Sequence, residues 1–593
     1  MSTLKKIVED VLSIPTTKKL WTSWCFPVLP FYIHDFSMGA VLPAVLYMFR
    51  WGHRRGKGTF EQTFGKPTES KIILPTIEDV VNNLAKKRDW FEGFDSASGK
   101  AILGDMLLSF CLENRRHQMG RTEQVQRAYP THYLASWIDL PPEVNYLRYI
   151  PEMLVSLLAD QEKGEYIQSN QGKSLFSIGS GFEENIMLNL FGRSMKIRGE
   201  RPTDITSDQF LEIGPESYLI GLDQLLTIRI AQACGEAPTS AKGRGENQKI
   251  HNRYPLARKS AKHFREDINV FLQSYGESIP RQTFLQMLES CLSLGLTNIF
   301  FSTASMFLAW EKTGSLPEFN AQNPSLLFVD SSCGNDLKLR RLAEESISDF
   351  LRRFERLPVI MMCLRILDDK VRHDHTMRDS LPPTFPDATA FINMLGSILY
   401  ESHPRAVKIL EDLSETCLKL STALKEADEE PSVQEFLNQY GNPAMRLAEA
   451  ICLLMGNMQR RQYTTALDSC LMIDQPNGLA KKRKIFQKDT SGKRGRSEAR
   501  SIVLTNTMLD FIVHRHLRKA AKGKGQTSLS FVDLIKLLRD RYGLYIDESP
   551  PGMSIPIELL SHNRQILERR LRDLGVLIGV NDAEPMKRLR QRF

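Results

Sequence analysis

The densest group of potential metal ligands in the chain is His373-Asp374-His375, which follows Asp368-Asp369. Imidazole and carboxylate donors of this kind can hold a divalent ion that activates water for hydrolysis. Neighbouring residues of a helix point in different directions, however, and no partner ligands stand out elsewhere, so a polar helix end is the better reading. Asp330 closes the apolar run Leu326-Leu-Phe-Val329, and Asp336 ends the turn sequence after it. Carboxylates at strand ends serve α/β enzymes as metal or catalytic groups. Here one strand is evident without alternating strands and helices around it, which favours turn and helix-start roles for both. Gly172-Lys173-Ser174 has the last three residues of a phosphate-binding loop, but Ile167 stands where its opening glycine belongs. Gly179-Ser180-Gly181 fails the dinucleotide pattern at Glu184 and the nucleophile-elbow pattern at Ile178. The expectation is no catalytic residue, no bound metal and no cofactor.

A different chemistry is concentrated at the C-terminal end. Residues 479–593 hold 25 Lys/Arg against 12 Asp/Glu, a net of +13, whereas the whole chain is +8. The first 478 residues therefore carry 53 basic against 58 acidic residues, about −5. A mildly acidic body with a basic end is the pattern of a chain whose end meets a polyanion. Lys481, Lys482, Arg483 and Lys484 form one cluster, and Lys493, Arg494 and Arg496 a second. The remaining candidates are His562, Asn563, Arg564, Arg569 and Arg570, followed by Lys587, Arg588, Arg590 and Arg592. Arginine can bridge guanine and asparagine can pair with adenine, while lysine and arginine also neutralise phosphates. The first cluster also reads as a nuclear-import signal if the source is eukaryotic.

These residues need elements to present them. Apolar spacing of three and four predicts helices from about Leu504 to Ala520, from Ser530 through Arg541, and from about Ile557 to Leu574. Ser530 with Asp533 reads as a capping box, and Gly543 and Gly575 as helix ends. Val576 to Val580 reads as a strand, with Asn581-Asp582 as a turn. That order predicts a winged helix-turn-helix, with the third helix as the recognition helix. His514 and His516, beside Arg515, are expected on its basic surface.

Upstream, helical periodicity dominates, and no fixed-period repeat appears. The predicted fold class is mainly α: a multi-domain helical body with a C-terminal winged helix-turn-helix-like domain. The expected division is an aromatic-rich segment over 1–60, helical domains over 61–240 and 264–474, a basic loop over 241–263, a basic linker over 475–500 and the winged-helix-like domain over 501–593. The nine cysteines are scattered singly, which predicts reduced, buried thiols in a cytoplasmic protein. The start of the chain lacks the apolar region of a signal peptide. Prolines, His34 and Asp35 break the aromatic stretch 20–51, and its longest apolar run, 36–49, is shorter than the roughly 20 residues that span a bilayer. A buried or partner-docked segment is expected there, with no membrane partner.

The stretches LLRDRYGLYID and NRQILERRLRDLGVLIGVNDAE resemble the tail of accessory proteins from bacterial anti-phage and DNA-modification-linked defence clusters. The resemblance covers about a fifth of the chain. It implies a large, mostly helical, cytoplasmic subunit that contacts DNA beside a methyltransferase, helicase or nuclease. The functional expectation is a non-catalytic DNA-binding or scaffolding subunit of a defence or DNA-processing complex, with DNA and other protein subunits as partners. Two alternatives stay open: a divergent metal-dependent nuclease using Asp330, Asp336 or His373–His375, and a pure scaffold whose winged helix docks a protein.

Overall fold

The computed structural model describes residues 2–12, 36–53, 59–67, 72–73, 75–116, 123–128, 149–162, 164, 166–167, 175–179, 184–191, 195–197, 211–213, 222–234, 249–276, 278–322, 326–380, 388–427, 430–455, 457–488, 494–518, 529–579 and 587–593. The Gly172-Lys173-Ser174 tripeptide, Gly181, Lys493, Asn581-Asp582 and residues 241–248 of the expected basic loop lie outside them, whereas residues 258–263 of that loop open a helix. Two compact units emerge, residues 36–254 and residues 255–593 with 1–35. The architecture is mainly helical, as the apolar spacing predicts.

In the unit of 36–254, the helix Val41–Trp51 packs against the helix Ile150–Leu158. Leu42, Val45, Leu46, Met48 and Phe49 are buried, as is every residue of the second helix. The apolar run 36–49 is thus core material, too short to span a membrane. The helix Ile77–Leu84 opens with a capping box between Thr76 and Asp79.

The larger unit is built around α1 (Arg258–Tyr275) and α2 (Arg281–Thr313). Phe264, Ile268, Phe271, Leu272 and Tyr275 recur at helical spacing on α1, and all are buried. Close approach of the two helices requires Gly295, where an added Cβ would lie 2.1 Å from the Phe264 ring. By length and composition α2 is apolar enough to cross a membrane, but most of it is buried inside this fold, as a core helix is.

Strand β1 (Leu327–Phe328) leads through the Asp330 turn into α3 (Leu337–Phe354) and α4 (Leu357–His373). After α5 (Asn457–Cys470) come β2 (Ala480–Lys488) and β3 (Arg494–Ile502). Then follow α6 (Asn506–His516), β4 (Leu529–Ser530), α7 (Phe531–Tyr542), β5 (Leu544–Tyr545), α8 (Ile557–Asp573), β6 (Leu577–Ile578) and β7 (Arg588–Leu589). β7 lies between β4 and β6, antiparallel to both. Ser530 caps α7 by accepting from the Asp533 N–H, and Gly543 ends the helix at φ 68°, the left-handed region that glycine enters freely.

The stretch 475–500 is a correction to the sequence reading. In place of a linker there is a turn whose Asn477 and Gly478 are buried, and the β2–β3 hairpin, in register from Ala480 with Ile502 to Lys488 with Arg494. Leu479, Ala480, Ile502, Val503 and Leu504 are buried. The Asn477 amide donates to Glu289 at 2.8 Å, and its carbonyl accepts from the Ser290 hydroxyl at 2.8 Å, tying the turn to α2. Charge runs alone looked like a solvated tether, but the segment pairs with itself while its apolar ends enter the core.

The basic segment is also stitched to the body by backbone. β5 pairs parallel with β1, and the Asp330 N–H donates to the Ile502 carbonyl at 2.9 Å. The apolar face of α8 packs on Phe328, Leu339 and Ala343 through Leu560, with Leu559 and Ile566 beside it.

Candidate nucleic-acid interface

On α8, Leu560, Leu567 and Leu571 define the buried stripe, and Asn563 falls within it at three- and four-residue spacing. Asn563 is fully buried. Its amide donates to the Val329 and Ile546 carbonyls, each at 2.9 Å, and its side-chain oxygen accepts from the Ser331 N–H at 2.9 Å. This corrects its expected place among the base-contacting residues, because its hydrogen-bonding groups are already engaged in joining α8 to the body.

The neighbouring cations divide into engaged and exposed sets. Arg564 lies 3.4 Å from Asp547 and over the Phe531 ring. Burial raises the Asp547 carboxyl above its ordinary range, and the Arg564 charge opposes that shift. Arg570 donates to the Ser331 carbonyl at 2.9 Å and to Asn506 at 2.7 Å. Lys587 is buried against Glu568 at 2.9 Å, and Arg592 pairs with Asp510 at 2.8 Å. Arg590 is exposed but donates to the Gly575 carbonyl at 2.9 Å. Arg588 is exposed, and the Arg569 side chain is 84% exposed with Asp573 4.0 Å away. His562 is exposed and 3.1 Å from Asp336.

On the hairpin, Arg483 makes a two-pronged pair with Glu344 of α3 at 2.5 and 2.6 Å. Arg500 pairs with Asp468 of α5 at 2.6 and 2.8 Å, and Lys482 pairs with Glu498 at 3.0 Å. Lys481 and Lys484 are exposed. The backbone of Arg494 and Arg496 is in β3.

His514 and His516 do not serve a basic surface. His514 is fully buried; its Nε2 accepts from the Arg592 N–H at 3.0 Å, so Nδ1 carries the proton and donates to the Asp510 carbonyl at 2.7 Å. Burial lowers its pKa. His516 Nε2 is 2.8 Å from the Tyr542 hydroxyl, which donates to Asp267 at 2.8 Å. Asp267, buried on α1, also accepts from Arg515 of α6 and Arg541 of α7, each at 2.8 Å. Arg541 donates to the His263 carbonyl as well. One carboxylate thus joins three helices, a feature whose only signal in the sequence is an aspartate inside the apolar stripe of α1.

Burial pushes His263 down to about 4 and His516 well below its ordinary value. Between pH 6.5 and 4 the unfolded chain takes up the His263 proton and the folded one does not, so stability falls as pH falls. Asp368, which burial lifts to about 6, acts in the opposite sense over much of that range. The check is therefore a difference: His263→Gln should lose less stability than the native chain from pH 7 to pH 4.5, by about 2–3 kcal/mol. Equal losses in urea unfolding would rule this out.

The carboxylates proposed for metal chemistry have structural partners. Asp330 accepts from the Ser332 N–H at 2.8 Å, the Ser332 hydroxyl at 2.6 Å and the Gly334 N–H at 2.8 Å. Burial nevertheless raises its pKa. Asp336 caps α3 through the Lys338 and Leu339 N–H groups, which with His562 lower its pKa. Asp374 accepts from the Met377 N–H and from Arg405. His373 Nδ1 lies 2.7 Å from the Asp369 carbonyl, and His375 is exposed. Among the described residues no group of three or more His, Cys, Asp and Glu side chains is placed to hold a metal ion.

Fold and surface together define a mainly helical protein whose basic end is built into its larger unit. The chain belongs to the methylation-associated defense system protein MAD7 family, whose sequence model matches residues 25–593. The defence association expected from the C-terminal fifth therefore extends over nearly the whole chain. No curated protein and no solved structure matches it.

Proposed function

We propose that this chain is a non-catalytic, cytoplasmic DNA-binding and scaffolding subunit of a methylation-associated defence complex. The carrying observation is the +13 net charge of residues 479–593, on which Lys484, Arg569 and Arg588 remain exposed after the internal ion pairs form. Setting aside β5, which pairs with β1, the order is helix, strand, two helices and two strands, with the last strand between the other two, which is that of a winged helix-turn-helix and supports that reading of 506–589. Exposed cations on such a surface neutralise phosphates and hold duplex without specifying sequence. The scaffolding half rests on exposed apolar side chains of the helical body, Val407, Leu418, Tyr440 and Leu453. Chemistry on the DNA falls to partner subunits.

Photocrosslinking of the full chain to a duplex carrying bromodeoxyuridine tests this. Crosslinked peptides are expected from 479–593. Crosslinks confined to residues 36–254, or none at DNA concentrations that saturate binding, would overturn the proposal.

A further inference from the structure

The hairpin β2–β3 carries 9 Lys/Arg against 2 Asp/Glu over residues 480–502, +7 of the segment's +13. Its nine register pairs make a ribbon about 30 Å long at the usual rise per residue. Among the described residues the two strands form a sheet of their own, joined to the body by backbone only at its base, where the Ile502 carbonyl accepts from the Asp330 N–H.

The register sorts these cations into two sets. Positions 481/501, 483/499, 485/497 and 487/495 form one, and 482/500, 484/498, 486/496 and 488/494 the other. In the first set, Arg483 is bound to Glu344 on α3, and the Lys481 chain lies beside Gly334. That set backs the ribbon onto the body. In the second, the pair nearest the core is already neutralised, with Arg500 on Asp468 and Lys482 on Asp468 and Glu498. Farther along the same set come Lys484, which is exposed, and the register positions of Lys488, Arg494 and Arg496 with Phe486 opposite Arg496.

We propose that the β2–β3 ribbon is the part of this protein that enters a DNA duplex, with Lys484, Lys488, Arg494 and Arg496 as its phosphate-contacting set and Lys481 and Arg483 as its backing. The major groove of B-form DNA admits a two-stranded ribbon, whereas the deep, narrow groove of duplex RNA does not. The inference rests on the DNA-binding reading above. It divides a cluster that looks uniform in sequence, and it moves groove entry from α8, whose Asn563, Arg564 and Arg570 are held internally, to the hairpin.

The test uses the full chain and a fluorescent duplex of about 30 base pairs, with a single strand and an RNA duplex as competitors. The combined variant K484Q/K488Q/R494Q/R496Q should bind duplex DNA at least tenfold more weakly. Its log–log salt slope should shrink by about 3–4, near 0.9 per lost phosphate contact. Lys481→Gln should stay within about twofold of the native chain. Glu498→Gln, which removes the one acid of the second register set, opposite Lys484, should tighten binding several-fold and does not depend on the fourfold variant folding.

Native affinity in the fourfold variant together with no gain in Glu498→Gln would overturn the ribbon and leave the DNA-binding reading standing. An equal loss in Lys481→Gln, or single strand or duplex RNA competing as well as duplex DNA, would also overturn it. If the native chain binds no DNA, the broader reading fails and the ribbon with it.

Discussion

Asp267→Ala should destabilise the larger unit by about 3–5 kcal/mol, because it leaves the buried Arg515 guanidinium without its counter-charge and Arg541 with Glu266 alone, 3.2 Å away. Asp267 and Arg515 are both nearly inaccessible to water, and Arg541 and the Tyr542 hydroxyl converge on the same carboxylate. Removing one partner of a buried set costs far more than losing a surface pair, since the remaining charges have no water to turn to. The effect should be local first. Hydrogen exchange should speed up in α6 and α7, which the carboxylate ties to α1, before it changes in the helices that precede α5. Asp267→Asn keeps the shape and removes the charge, so it should fall between native and alanine. Native-like urea midpoints for both variants would show that the network contributes little.

Asn563→Ala should cost about 3 kcal/mol and leave DNA sequence preference unchanged. Three buried backbone groups lose their partners, the Val329 and Ile546 carbonyls and the Ser331 N–H, and each unsatisfied group costs about 1–3 kcal/mol. Asn563→Asp is the sharper form, because a carboxylate cannot donate to the two carbonyls and sets negative charge against both. It should destabilise more than alanine despite being nearly isosteric. Unchanged stability with an altered preferred DNA site would restore Asn563 as a base reader and contradict its structural role.

These two residues show where the sequence was legible. Helices α7 and α8 follow directly from apolar spacing, with Ser530 and Gly543 marking the ends of α7 and Gly575 the end of α8, because local caps and core stripes act over a few residues. Asn563 was misassigned for a reason the sequence itself contains. It lies in the stripe of Leu560, Leu567 and Leu571, so its position outweighs its chemistry. Asp267 sits likewise between Phe264 and Ile268. Its partners Arg515 and Arg541 are some 250 residues away, and nothing in local spacing could pair them. The 475–500 stretch failed differently. Lys481 to Lys484 suggested solvent by charge, yet Arg483, Lys482 and Arg500 are held by Glu344, Asp468 and Glu498. Acidic residues distant in sequence turned a charge run into a paired strand.

The basic end is therefore a fixed surface, joined to the body through β1, α3 and α1, and only some of its cations are free to meet a polyanion. That distinction decides how it can be tested. Deleting 479–593 would remove Ile502, Leu504, Leu509 and Phe511 from the core, so loss of binding after truncation would say little. Exposed charges in the intact chain are the proper targets.

The most direct measurement is equilibrium binding of the native full-length chain to duplex DNA across about 50 to 200 mM salt, beside a variant neutralised at Lys484, Arg569 and Arg588. The account predicts that native affinity falls steeply with salt, and that the variant binds more weakly with a slope smaller by about 2–3. A salt-independent native affinity, or a variant with the native slope and affinity, would contradict it.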